Sequence, residues 1–128
     1  MKKLIKIVIA VCVLFLLQSC YYDTVYTVEA PPVDPEVDIL YKTQIQPIWD
    51  NNCVDCHKGF TAPDLRPENS YDDLLNNGWV VSGNSAGSIL YKSVAWSGGA
   101  AKMPIEYKLT ESEIQLIQLW IDQGAENN

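Results

Sequence analysis

The chain has one histidine, His57, and two methionines, Met1 and Met103. A single imidazole excludes catalysis or metal binding by paired histidines. Nine Lys and Arg stand against 16 Asp and Glu, a formal charge of −7. No basic stripe is therefore present to meet nucleic-acid phosphates. The opening apolar run, Ile7 to Leu17, spans eleven residues, whereas a membrane-crossing helix needs about 20. No Gly-rich phosphate loop or nucleophile–base pair is visible, which argues against an autonomous enzyme and gives no reason to expect a small-molecule substrate. What is present is enough for one domain: 128 residues, 48% of them apolar, which excludes a wholly disordered chain.

Lys2, Lys3 and Lys6 precede the apolar run, and Leu17-Gln18-Ser19-Cys20 follows it. A basic start, a short apolar stretch and small residues at its end describe an export signal over 1–19. The ending resembles the lipobox of bacterial lipoproteins, with Gln18 an uncommon residue in it. That resemblance implies lipidation of Cys20 and export, with the chain anchored on the periplasmic side of a membrane. The outer membrane is favoured, and display at the cell surface is the alternative. An uncleaved signal anchor is the competing reading, and the run is short for it. Several acyl chains hold firmly where one does not, at about 0.8 kcal/mol per buried CH₂. Cleavage would remove Cys12, an apolar residue of the run, and leave 109 residues with a side-chain charge of −10.

Residues 20–38 are expected to form an acidic tether. They hold Asp23, Glu29, Asp34, Glu36 and Asp38, no Lys or Arg, and Pro31, Pro32 and Pro35. Extended polyproline geometry would give a reach of roughly 50 Å at about 3.1 Å per residue. Tyr22, Thr24, Tyr26 and Val28 alternate as a short strand would. The domain is expected over 39–128, and its class is all-α. Tyr41 to Asn52 has helical spacing, with Pro47 either starting its regular part or kinking it. Tyr71 to Asn76 reads as a short helix capped by Ser70 and ended by Gly78, and Ser85 to Val94 as another, with Ile89, Leu90 and Val94 inward. The last helix has a capping box, Thr110 with Glu113, an apolar face of Ile114, Leu116, Ile117, Trp120 and Ile121, and Gly124 at its end. Asp72 and Asp73 read as a solvated face.

Cys53-Val54-Asp55-Cys56-His57 is a C-x-x-C-H sequence, the attachment signature of a c-type haem. Cysteines three apart lie about one helical turn apart, so both sulfurs can add to the vinyl groups on one porphyrin edge. The adjacent His57 then faces the iron. Zinc would want four ligands, and the mature chain has neither a second Cys pair nor a second His. A redox C-x-x-C would want alternating strands and helices, and a Cys53–Cys56 disulfide would close too small a loop to stabilise much. A domain of this size buries a modest core, and one covalent haem would enlarge it. The second axial ligand is assigned to Met103, 46 residues beyond His57 in a Gly-rich loop, because thioether sulfur is a known partner of a His-ligated haem. Met103 as a plain core residue is the alternative; Lys58, Lys102 and Tyr107 are fallback ligands.

From about Ile39 to Glu126 the chain resembles class I monohaem cytochrome c domains, nearest to those in exported proteins of Planctomycetes and Bacteroidetes. The resemblance rests on Ile45-Gln46-Pro47-Ile48 before Cys53 to Gly59. It continues through Val80 to Asn84 leading to Ser88-Ile89-Leu90-Tyr91, and Met103-Pro104 before Leu109 to Ile114 and Trp120 to Ala125. Relatives often have a second proline where Ile105 stands here. The resemblance implies a small helical domain wrapped around haem held by Cys53 and Cys56, with His57 proximal and Met103 distal. It also implies a proline carbonyl accepting the His57 ring N–H, from Pro63 or Pro67, although either can equally be a turn former. Leu65, Trp79, Leu90 and Tyr91 are candidate crevice walls or ordinary core, and Trp120 is expected to pack the last helix on the first. The expected role is electron transfer, with partners that present basic docking patches to the acidic surface. A haem-based gas sensor or ligand binder and an accessory subunit of an exported oxidoreductase complex are the alternatives.

Overall fold

The computed structural model describes residues 33–128, and Lys3. The signal segment, Cys12, Cys20, the 22–28 strand expectation and most of the tether lie outside the described residues. Among those described there are helices and no strand, so the domain is all-α, and no helix is long and apolar enough to cross a membrane.

The first helix, α1 (Gln46–Asn52), is entered through a π-helical turn, Tyr41–Ile45, in which the Gln46 N–H bonds the Tyr41 carbonyl. Pro47 explains the change of pitch, since it has no N–H with which to continue an upstream α-ladder. Helix α2 is Ser70–Asn76. Ser85–Gly87 is a 3₁₀ turn and α3 is Ile89–Val94. The stretch expected as one helix is broken at Ser88, whose backbone is extended. Its buried hydroxyl donates to the Asn84 carbonyl and accepts from the Val81 N–H. Helix α4, Glu111–Asp122, starts at the Thr110–Glu113 capping box. It ends in paired bonds, Ala125 N–H to Trp120 and Gly124 N–H to Ile121, with Gly124 at φ +114°.

α4 packs on the π turn, α3 and the 3₁₀ turn. Ile114, Ile117, Trp120 and Ile121 are buried, and Leu116 is partly buried against them. The Trp120 ring lies 5.0 Å from Tyr41, which meets Tyr71 edge-on at 5.3 Å. Trp120 therefore packs the last helix on the π turn that leads into α1, rather than on α1 itself. Beneath these rings runs a buried polar chain: the Tyr41 hydroxyl donates to Ser70, Ser70 to the Gln46 amide oxygen, and the Gln46 amide to the Leu65 carbonyl. Ser70 therefore does not cap α2; it is the helix's first residue and is fully buried. Burial pushes the Tyr41 hydroxyl up to about 12.

Residues 33–39 lie along α4. The Gln115 amide exchanges bonds with Val33. Gln123 accepts from the Ile39 N–H and donates to the carbonyls of Pro35 and Val37. These glutamines are eight residues apart, close to two helical turns, and so share a face.

Candidate cofactor site

A cavity of about 420 Å³, lined almost wholly by apolar side chains, lies between the chain following α1 and the segment from Trp79 to Ile105. Cys53, Cys56, His57 and Met103 all line it. This volume falls within the roughly 300–1,000 Å³ of cavities that take cofactor-sized molecules. No charged side chain lines it.

One wall grows directly out of α1. Cys53 is the helix's C-cap, its N–H bonding Trp49, and the His57 N–H returns to the Cys53 carbonyl at 2.9 Å. Both thiols are free, Cys56 exposed and Cys53 partly buried. Burial first, then the nearby charges of Glu113 and Cys56, pushes the Cys53 thiol up to about 12. His57 Nδ1 lies 3.0 Å from the Pro63 carbonyl. A carbonyl can only accept, so Nδ1 carries the proton and donates, which leaves the Nε2 lone pair free to bind a metal. Pro63, rather than Pro67, occupies this position. The Leu65 N–H closes the excursion on the His57 carbonyl at 2.9 Å.

Just beyond Pro63, Arg66 forks onto Asp64, with Nη2 to Oδ2 at 2.6 Å and Nε to Oδ1 at 3.0 Å. These bonds hold the Asp64 carboxyl below the usual carboxylate range. Asp73 accepts the Asp64 N–H at 2.7 Å. Asp72 is exposed, but Asp73 is thus a brace for the His57 loop rather than a solvated residue.

The opposite wall is supplied by Trp79, α3 and the loop after it. Leu65, Trp79 and Leu90 line the cavity. Ile89 lines it too, although it is half-exposed. Tyr91 does not; its hydroxyl donates to Gln118 on α4. Met103 is held by its backbone: its N–H donates to the Ser93 carbonyl at 3.1 Å, and its carbonyl accepts the Trp96 indole N–H at 3.2 Å. Neither residue was legible as part of the site, because both contacts depend on the tertiary return of the loop. Of the fallback ligands, Lys102 sits 5.0 Å over the Trp96 ring and Tyr107 donates to Asn52, and Lys58, Lys102 and Tyr107 are not among the cavity-lining residues.

Two cavity-lining indoles, Trp49 and Trp79, have buried Nε1–H groups without a hydrogen-bond partner. An orphaned buried donor costs about 1–3 kcal/mol. Trp49 lies near enough to the Tyr41 hydroxyl to favour its ionised form, so Trp79 is the clearer orphan. Among the described residues no three His, Cys, Asp or Glu side chains gather to hold a bare metal ion. The donors instead comprise two thiols, one imidazole and one thioether around an apolar space. No protein-family model, curated protein or solved structure matches this chain.

Proposed function

We propose that the protein is an electron carrier of the cytochrome c kind, holding one covalent haem c in this cavity. The observation that carries the reading is the convergence of Cys53, Cys56, His57 and Met103 on one apolar space, although Met103 lies 46 residues from His57. The remaining features fit the group. Apolar walls suit the faces of a porphyrin, and the unpartnered Trp79 donor suits an acidic substituent on its edge. His57 has its Nδ1 engaged and its Nε2 free. When bound, the haem supplies a one-electron Fe(III)/Fe(II) couple.

The residues explain why transfer, rather than turnover, is the favoured outcome. Cys53 and Cys56 would each add S–H across a vinyl group and fix the macrocycle. His57 and Met103 would both hold its iron, which would leave no place on the metal for a substrate. The apolar walls exclude water and lower the solvent rearrangement that accompanies a change of charge. Exposed Ile89 and Ile105 line the site, and no Asp or Glu occurs between Leu74 and Ile105. The acids elsewhere would steer partners with basic patches, and the apolar rim would make the close contact. A lipid on Cys20 would confine this exchange to the periplasmic side of a membrane.

The test is the visible spectrum of the full chain, produced where haem attachment occurs, oxidised and reduced, with and without carbon monoxide. Covalent haem with a six-coordinate, low-spin spectrum indifferent to carbon monoxide is expected. Absence of covalent haem would overturn the cofactor assignment. A high-spin or carbon monoxide-binding spectrum would replace the carrier with a ligand binder.

A further inference from the structure

The residue that seats Met103 does not line the cavity. Trp96 follows α3 with φ +56°, a left-handed conformation that is a genuine outlier for a bulky side chain. Glycine would adopt it freely, as Gly98 and Gly99 do at +62° and +75° in the same loop. A tryptophan there calls for a side-chain role that offsets the strain. Its indole N–H reaches forward to the Met103 carbonyl at 3.2 Å, and its ring face receives Lys102 Nζ at 5.0 Å. The Met103 N–H meanwhile bonds the Ser93 carbonyl. Both ends of one residue are thereby tied to α3 and its C-terminal extension.

We propose that Trp96 is a positioning residue for the distal ligand: its indole N–H clamps the Met103 peptide and so decides how firmly the thioether can hold an iron facing His57. The inference rests on the haem reading above and specifies what controls that site. Weakening the clamp would turn a closed carrier site into one that exogenous ligands enter.

Trp96→Phe removes the donor and keeps an aromatic ring beneath Lys102. Two measurements on the full chain follow. In the haem-loaded protein, imidazole affinity for the oxidised iron is expected to rise about threefold to tenfold, the size of one lost neutral hydrogen bond, with weakening of the sulfur-to-iron charge-transfer band. In the haem-free protein, methyl-¹³C methionine labelling reports Met1 and Met103; the Met103 signal is expected to move toward that of free methionine. A variant that only loosens the fold would lower the melting temperature and leave imidazole affinity unchanged. Wild-type-like affinity together with an unmoved Met103 signal would overturn the clamp while leaving the haem assignment intact. A wild-type chain that binds no haem would defeat the functional reading, and the methyl signal would still show whether Trp96 orders Met103. Lys102→Ala, which keeps the indole donor to the Met103 carbonyl, is expected to leave the imidazole affinity as in wild type.

Discussion

The two walls of the cavity are built on different principles. The wall from Cys53 to Leu65 is mostly local: the bonds from Cys53 to His57, His57 to Pro63 and Leu65 to His57 span at most eight residues, and Asp73 and Gln46 brace it from outside. The wall from Trp79 to Ile105 is assembled at longer range. Its 3₁₀ turn is fastened to α4 by Asp122, which accepts from both the N–H and the hydroxyl of Ser85, and Met103 is hung from α3. Charge divides the walls as well. The first adjoins the Asp64–Arg66–Asp73 cluster, whereas the second belongs to a stretch with no carboxylate. A local wall can bind a reactive group covalently through a short motif. A distant wall can tune or release it, because few contacts decide where its ligand sits.

Breaking the local wall is expected to have the largest effect. Cys53→Ser with Cys56→Ser should abolish covalent pigment, measured as haem that acidified solvent extracts completely. Retained pigment would refute the attachment chemistry. Breaking the distant wall should spare attachment and change coordination. Met103→Ala should leave covalent haem in place and raise affinity for carbon monoxide by at least about tenfold, which is ~1.4 kcal/mol. Unchanged carbon monoxide affinity would remove Met103 from the iron. A smaller effect is expected at the brace behind His57. Asp73→Ala deletes the acceptor of the Asp64 N–H and should cost about 0.5–1.5 kcal/mol of stability, read by denaturant midpoint, with axial coordination preserved.

The same division explains what the amino-acid sequence revealed. The C-x-x-C-H spacing and the α4 capping box are local statements, and the backbone follows them at Cys53–His57 and Thr110–Glu113. The Pro63 carbonyl was expected only through the resemblance to cytochromes c, with Pro67 as the alternative, and the short loop brings Pro63 to His57. Ser70 misled because a hydroxyl before a helix ordinarily caps it; here the buried Gln46 and Tyr41 side chains claim it. Ser88 interrupts a helical pattern through a buried hydroxyl that bonds Asn84 and Val81, which no periodicity announces. Tyr91 faces α4 rather than the cavity because Gln118 offers it an acceptor. The Trp96 clamp was illegible for a stronger reason: a tryptophan at positive φ runs against propensity, and only the returning loop supplies its partner.

The gentlest perturbation leaves the sequence unchanged and asks whether the local wall forms before anything is attached. In haem-free folded protein the Cys53 thiol stays neutral from its ordinary 9.0 up to about 12, chiefly through burial. Cys56 is exposed. A thiolate-selective alkylating agent at pH 8 should therefore modify Cys56 at least about tenfold faster than Cys53, since reactivity follows thiolate fraction and access. The same shift fixes a sign in stability. Below pH 9 both folded and unfolded chains keep the Cys53 proton. Between about 9 and 12 the unfolded chain releases it and the folded chain does not, so stability falls as pH rises through that window. Tyr41, raised from 10.0 to about 12, adds a decline of the same sign starting one unit higher. Cys53→Ala should remove the earlier part of the decline and leave the later one. Equal alkylation of the two cysteines would mean that the pocket around Cys53 does not form without a bound group, and that even the local wall depends on what it holds.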